Sequence, residues 1–219
     1  MAQRKEMKEI EQMLAPYKKV LLVGCRGCVT ICHAGGEKEV ELLSRQLLLL
    51  SQSDRLNVTV TEMTIERQCD PEFIDILANQ VAEHDVVLSM ACGVGVQYLA
   101  ARFKDTMILP ALNTDFMGGT DAPGIFSERC QGCGACKLHL TGGICPITRC
   151  AKSLFNGPCG GSDNGKCEVD SSMDCAWQLI VDSLEKLGQM DRYESLIGAN
   201  DWSPSRDGGP RQIIREDLK

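Results

Sequence analysis

Thirteen cysteines in 219 residues, eight of them between Cys130 and Cys175, constrain this chain more than any other feature. The dense block runs Cys130-x2-Cys133-x2-Cys136, then Cys145-Pro146, Cys150, Cys159, Cys167 and Cys175. A second group, Cys25-x2-Cys28-x3-Cys32, lies near the amino terminus, and Cys69 and Cys92 stand apart. Thiolates two or three residues apart share one tight turn and can grip a soft metal centre, for which iron–sulfur clusters and zinc are the common occupants.

Disulfides are the competing use of cysteine. Residues Met1 to Leu14 carry charges throughout and have no apolar stretch, unlike a secretory signal. No run is long enough to span a bilayer. The expectation is therefore a cytoplasmic chain without membrane insertion, in a compartment where thiols stay reduced; an odd number of cysteines also fits a disulfide framework poorly. A net charge of −7 argues against nucleic acid or an anionic membrane as the main partner.

The two halves differ in pattern. Residues 1–16 place Met7, Ile10 and Leu14 at helical spacing and stop at Pro16. Val20 to Gly24 is a short continuous apolar run leading into the first cysteine group. Glu37 to Leu50 predicts a helix with Val40, Leu43 and Leu47 inward, and Asn57 to Thr61 predicts a strand. Asp70-Pro71 starts a helix as N-cap and first-turn proline, continued by Ile74, Leu77 and Val81. Asp85 to Met90 reads as a buried strand, Leu99 to Phe103 as a short helix, and Met107 to Ala111 as a strand. This alternation predicts an α/β domain over residues 1–117, a small parallel sheet of about four strands, Rossmann-like or flavodoxin-like, with helices on its faces.

Gly118 to Gly124 reads as a linker, extending to residue 126. Residues 127–190 form a cysteine-rich domain with almost no hydrophobic periodicity before a helix at Met173–Leu187, whose inward side is Ala176, Ile180, Leu184 and Leu187. Such a segment cannot fold by burial alone, so metal binding is expected to supply its folding energy. Residues 191–219 read as a polar surface tail.

Ligands of parallel sheets bind beyond the carboxyl ends of the strands. Cys25, Cys28 and Cys32 follow one predicted strand and Cys92 follows another, so neighbouring strands would bring these four thiolates together as ligands of a [4Fe–4S] centre. Cys92 as a buried apolar thiol is the plainer alternative. Cys69, before a helix start, reads as structural, and His33 as a neighbour of the group. Gly24, Gly27 and Gly93 would let backbone approach such a centre. The stretch Ala91 to Val96 offers glycines at a helix start where a flavin phosphate could sit, but a tight turn explains them more simply, and GxGxxG is absent.

In the second half, Cys130, Cys133 and Cys136 have ferredoxin spacing, and Cys145-Pro146 is the kind of pair that closes such a motif. Zinc is the rival, through Cys130, Cys133, Cys136 and His139, and through Cys150, Cys159, Cys167 and Cys175. Spacing favours iron for the triplet and does not choose for the remaining cysteines. No serine, histidine and carboxylate set can be assembled, and the acids Glu37, Glu39 and Glu41 read as a solvated helix face.

The string from Cys130 to Gly161, with Gly165-Lys166-Cys167-Glu168-Val169 and Asp174-Cys175-Ala176-Trp177, resembles the methylenetetrahydrofolate reductase C-terminal-like family. With its cysteine-bearing amino-terminal domain, the whole chain is similar to the small iron–sulfur subunits of the bacterial MetVF-type reductases. The resemblance implies an accessory electron-transfer subunit of one-carbon (Wood–Ljungdahl) metabolism. Its implied partner is a MetF-like TIM-barrel flavoprotein that carries FMN or FAD and reduces methylenetetrahydrofolate to 5-methyltetrahydrofolate. An electron-donating protein or module, ferredoxin-, NADH- or Hdr-linked, is implied as well. A zinc-organised scaffold without electron transfer and a free-standing flavin oxidoreductase are the alternatives.

Overall fold

The computed structural model describes residues 1–218 and divides into two compact units. The first comprises Met1–Phe116 with Ala122–Phe126, and the second Met117–Asp121 with the residues from Ser127 onward.

The first unit begins with β1 (Ala2–Arg4), α1 (Met7–Leu14), β2 (Lys19–Cys25), α2 (Cys28–Ile31), α3 (Glu37–Gln52) and β3 (Thr59–Ile65). It continues through α4 (Pro71–Ile74), a 3₁₀ turn at Asp75–Leu77, α5 (Ala78–Ala82), β4 (Val86–Ser89), α6 (Gly93–Arg102), β5 (Met107–Pro110) and β6 (Leu112–Thr114). Four strands form one parallel sheet in the order β3-β2-β4-β5, with Val23 of β2 level with Ser89 of β4. Numbered within the sheet this is the order 2-1-3-4, as in flavodoxin-like sheets. The connections leave β2 and β4 in opposite directions, so the switch point of the sheet lies between these two strands.

The near-continuous apolar runs of β2 and β4 follow from burial on both faces. Val20, Leu22, Val86 and Leu88 pack on one side with Ile10 and Leu14 of α1 and Val40, Leu43 and Leu47 of α3. Leu21, Val23 and Val87 pack on the other with Ile74, Leu77, Val81 and Leu99. Asp70 caps α4, its carboxylate accepting the Glu72 N–H at 3.3 Å.

Several elements depart from the sequence reading. The first residues form strand β1 before α1, paired antiparallel with β6. Strand β3 runs later than Asn57–Thr61, and α6 starts at Gly93, earlier than Leu99. The stretch read as a linker forms a hairpin, β7 (Met117–Ala122) and β8 (Ile125–Cys130). Its tip is Pro123-Gly124, with Gly124 at φ 77°, where glycine carries no Cβ penalty.

The second unit has little regular structure. After β8 come a 3₁₀ turn at Leu138–Leu140, α7 (Pro146–Arg149), α8 (Ala176–Lys186) and α9 (Asp191–Glu194). Its small core gathers Trp177, Ile180 and Leu184 of α8 with Ile144, Leu154, Met190, Tyr193 and Ile197. Leu187, expected inward, is 57% exposed, because α8 ends one residue earlier; Trp177 is buried in its place. Residues after α8 are held to the second unit at several points. Asn156 exchanges two 2.8 Å hydrogen bonds with the backbone of Ile197, and Arg211 donates to the carbonyls of Gly132 and Pro204. Among the described residues no helix is long and apolar enough to cross a membrane.

Candidate functional site

All thirteen cysteines are free thiols, and twelve line three cavities in groups of four. Each group includes one cysteine that is the N-cap of a helix: Cys92 on α6, Cys145 on α7 and Cys175 on α8.

The first cavity, about 80 Å³, lies in the first unit and is lined by Cys25, Cys28, Cys69 and Cys92, with Gln68, Arg67 and Gly95 among its neighbours. Cys25 ends β2, Cys28 opens α2 behind it, Cys69 sits in the loop after β3, and Cys92 follows β4. All four therefore arise at the carboxyl edge of the sheet, around the switch point. Burial, followed by the charges of Cys25 and Cys92 and, more weakly, of Cys28, pushes the Cys69 thiol up.

Cys32 is placed elsewhere. It is 9% exposed within the apolar cluster of α1 and α3, and its Sγ is 3.5 Å from the carbonyls of Ala2 and Val29. Short sequence spacing brought it into the expected set; the single turn of α2 carries it away from the cavity. Cys69, read as structural, lines the cavity in its place.

A fully buried polar clamp lies beneath. Gln68 Nε2 donates to the carbonyls of Val23 and Gly24, each at 2.9 Å, and its Oε1 accepts the Ser89 hydroxyl at 2.6 Å. Ser89 Oγ in turn accepts the Ala91 N–H at 3.2 Å. Of the glycines expected to admit a centre, Gly27 lines the cavity, whereas Gly24 packs against Val40 and Thr64 and the Gly93 N–H donates to Thr114. The glycine that matters for packing is Gly95: a Cβ there would lie 2.9 Å from Gln68 Cβ and 2.7 Å from Ala91 Cβ. Of the glycines in Ala91–Val96, Gly95 thus serves close packing.

In the second unit, a cavity of about 200 Å³ is lined by Cys130, Cys133, Cys136 and Cys145. Cys145 completes the triplet; His139 is not in the lining, and its carbonyl accepts from Arg192. The third cavity, about 20 Å³, is lined by Cys150, Cys159, Cys167 and Cys175. Burial raises the Cys175 thiol, but hydrogen bonds from the Gln178 N–H, the Ser162 hydroxyl and the Trp177 N–H outweigh it and hold the thiol below its ordinary range. Cys159 lies 3.3 Å from a Glu168 carboxylate oxygen, which also pairs with Lys152.

Among the described residues no three His, Cys, Asp or Glu side chains converge at single-ion spacing. Each group of four thiols surrounds a space. The donor chemistry fits soft metals: four thiols per cavity with no competing imidazole in any lining. A cavity of roughly 10–15 Å³ admits one water-sized body, so the third has room for one such body and the other two for several.

The fold and these thiols define a class: a doubly wound α/β unit with cysteines at its switch point, followed by a cysteine-rich unit. Residues 109–203 match the family model described as Methylene-tetrahydrofolate reductase C terminal, which relates this stretch, with both cysteine groups of the second unit, to methylenetetrahydrofolate reductases. No curated protein and no solved structure matches the chain.

Proposed function

We propose that this chain is the small iron–sulfur subunit, of MetV type, of a methylenetetrahydrofolate reductase, and that it delivers electrons to a MetF-like flavoprotein partner that forms 5-methyltetrahydrofolate. The observation that carries this reading is the sorting of twelve cysteines into three groups of four within a chain whose residues 109–203 match the reductase family. Iron–sulfur centres supply one-electron carriers to such a chain. Thiols at the switch point of the first unit, and Cys130, Cys133, Cys136 and Cys145 of the second, are the residues that would hold them. Cys150, Cys159, Cys167 and Cys175, with the smallest of the three cavities, would hold one zinc ion by closing in from their present spacing.

The chain's own part is to hold the thiols, through strand ends, helix N-caps and the Gln68 clamp, and to keep Cys25 and Cys175 from water. The substrate is met elsewhere: a TIM barrel needs roughly 200 residues or more for its eight repeats, and the sheet described above has four strands. The test is formation of 5-methyltetrahydrofolate from reduced ferredoxin or NADH by this chain, by the flavoprotein and by the pair. Only the pair should turn over. Turnover by this chain alone contradicts the reading.

A further inference from the structure

We propose that the metal site of the first unit is built by Cys25, Cys28, Cys69 and Cys92, and that Cys32 is a core thiol with no part in it. The inference deepens the function proposed above and rests on its reading of these thiols as metal ligands.

Three separate strand ends deliver the four thiols to one cavity: the end of β2 and the start of α2 give Cys25 and Cys28, the loop after β3 gives Cys69, and the loop after β4 gives Cys92. Because β3, β2 and β4 are adjacent and parallel, their carboxyl ends lie side by side. Sites in such sheets lie beyond the carboxyl ends of the strands at the switch point, which is where these thiols arise.

The backbone on both sides of Cys69 is fixed. The preceding Gln68 is tied by its side chain to Val23, Gly24 and Ser89, the same strand ends from which Cys25 and Cys92 follow. The following Asp70 caps α4, whose first residue is Pro71. The absence of a Cβ at Gly95 gives Gln68 the room to sit there. A buried amide with this many partners is costly to place without a purpose, since each of its groups must find a hydrogen bond. Its effect is to hold one cysteine-bearing loop against two cysteine-bearing strand ends.

Cys32 shares the apolar cluster of Cys25 but, unlike Cys25, does not line the cavity. Its Sγ faces the carbonyls of Ala2 and Val29, with Ile10, Val29 and Val40 in the same apolar cluster.

The test uses the full chain purified without oxygen, with Cys69→Ala, Cys69→Ser, Cys32→Ala and Cys32→Ser variants. Iron, acid-labile sulfide, zinc and the electron paramagnetic resonance of the reduced protein are measured beside far-ultraviolet circular dichroism. Cys69→Ala should lose about four irons per chain relative to wild type, the content of one four-thiolate cube, with one resonance lost and the dichroism kept. Cys32→Ala should keep the wild-type content. Full iron in Cys69→Ala, or loss of iron in both Cys32 variants with the dichroism intact, overturns the assignment. If the wild-type chain holds zinc in place of iron, the iron–sulfur reading fails, and the same variants read the four ligands on zinc content. A wild-type chain with neither metal overturns both.

Discussion

The Ser89 hydroxyl donates to Gln68 Oε1 at 2.6 Å, and both side chains are fully buried. Through this contact the end of β4 is joined to the loop after β3, while the other end of the Gln68 amide holds the end of β2. Three cysteine-bearing segments thus share one amide.

Replacing Gln68 by Leu would leave the Ser89 hydroxyl without its acceptor and take one donor from each of the Val23 and Gly24 carbonyls, of which Val23 keeps the Met90 N–H. Each buried polar group left unsatisfied costs about 1–3 kcal/mol. Gln68→Leu should therefore lower the urea midpoint of the first unit and its metal content together, with Gln68→Glu intermediate. Ser89→Ala should cost less, because it unpairs Gln68 Oε1 and the Ala91 N–H but keeps both Gln68 bonds to the end of β2. Unchanged metal content in a folded Gln68→Leu chain would show that the clamp does not position the thiols.

The parts of this fold legible in the sequence were those with local signals. The apolar runs of β2 and β4, the spacing of Val40, Leu43 and Leu47, and Asp70-Pro71 each report a nearby backbone state. Strand β1 was not legible, because its partner Leu112–Thr114 lies far along the chain. The hairpin read as a linker because Gly118, Gly119 and Thr120 resemble loop residues; Pro123-Gly124 was the signal of its turn. For the site, spacing exposed Cys25, Cys28 and the run from Cys130. It included Cys32 and passed over Cys69, since spacing says nothing about which side of a helical turn a thiol faces or which distant loop joins it.

Removing metal should unfold the second unit before the first. Its core is small, and its cysteine loops have few apolar contacts to hold them. Limited proteolysis after chelation should cut between residues 127 and 175 while a fragment containing the parallel sheet persists. Equal survival of both after full metal removal would contradict this.

Trp177 reports on the third group of thiols, whose cavity it lines; its indole N–H donates to the Leu154 carbonyl at 2.9 Å. In a Trp202→Phe chain, leaving Trp177 as the sole tryptophan, zinc removal should red-shift and quench the emission, and about one zinc per chain should restore it. Cys159→Ser should weaken zinc retention at least tenfold with little effect on total iron. Loss of iron with no change in zinc would assign this cavity to a cluster.

Asp85 holds the amino end of β2 beside β4, its carboxylate accepting the N–H groups of Lys18 and Lys19 at 2.9 and 2.8 Å. The Lys19 and then the Lys18 hydrogen bond keep this carboxyl below its ordinary value of 3.8. A lowered folded-state value means that the contribution is fully present above the unfolded value and is lost as pH falls through the folded one. The stability gap between wild type and Asp85→Asn should therefore be largest near neutrality and close below about pH 4. Metal release is common to both chains and cancels in the comparison. A gap independent of pH would show that the ionised carboxylate is not what matters.

Electron delivery to a flavin is the central claim, and an anaerobic stopped-flow measurement tests it most directly. The chain is reduced, freed of excess reductant and mixed with the oxidised MetF-like flavoprotein, while the flavin absorbance is followed. The account predicts rapid bleaching of the flavin by the metal-loaded chain, and none by the same chain after metal removal. A flavin that stays oxidised in the presence of the reduced, metal-loaded chain would contradict it.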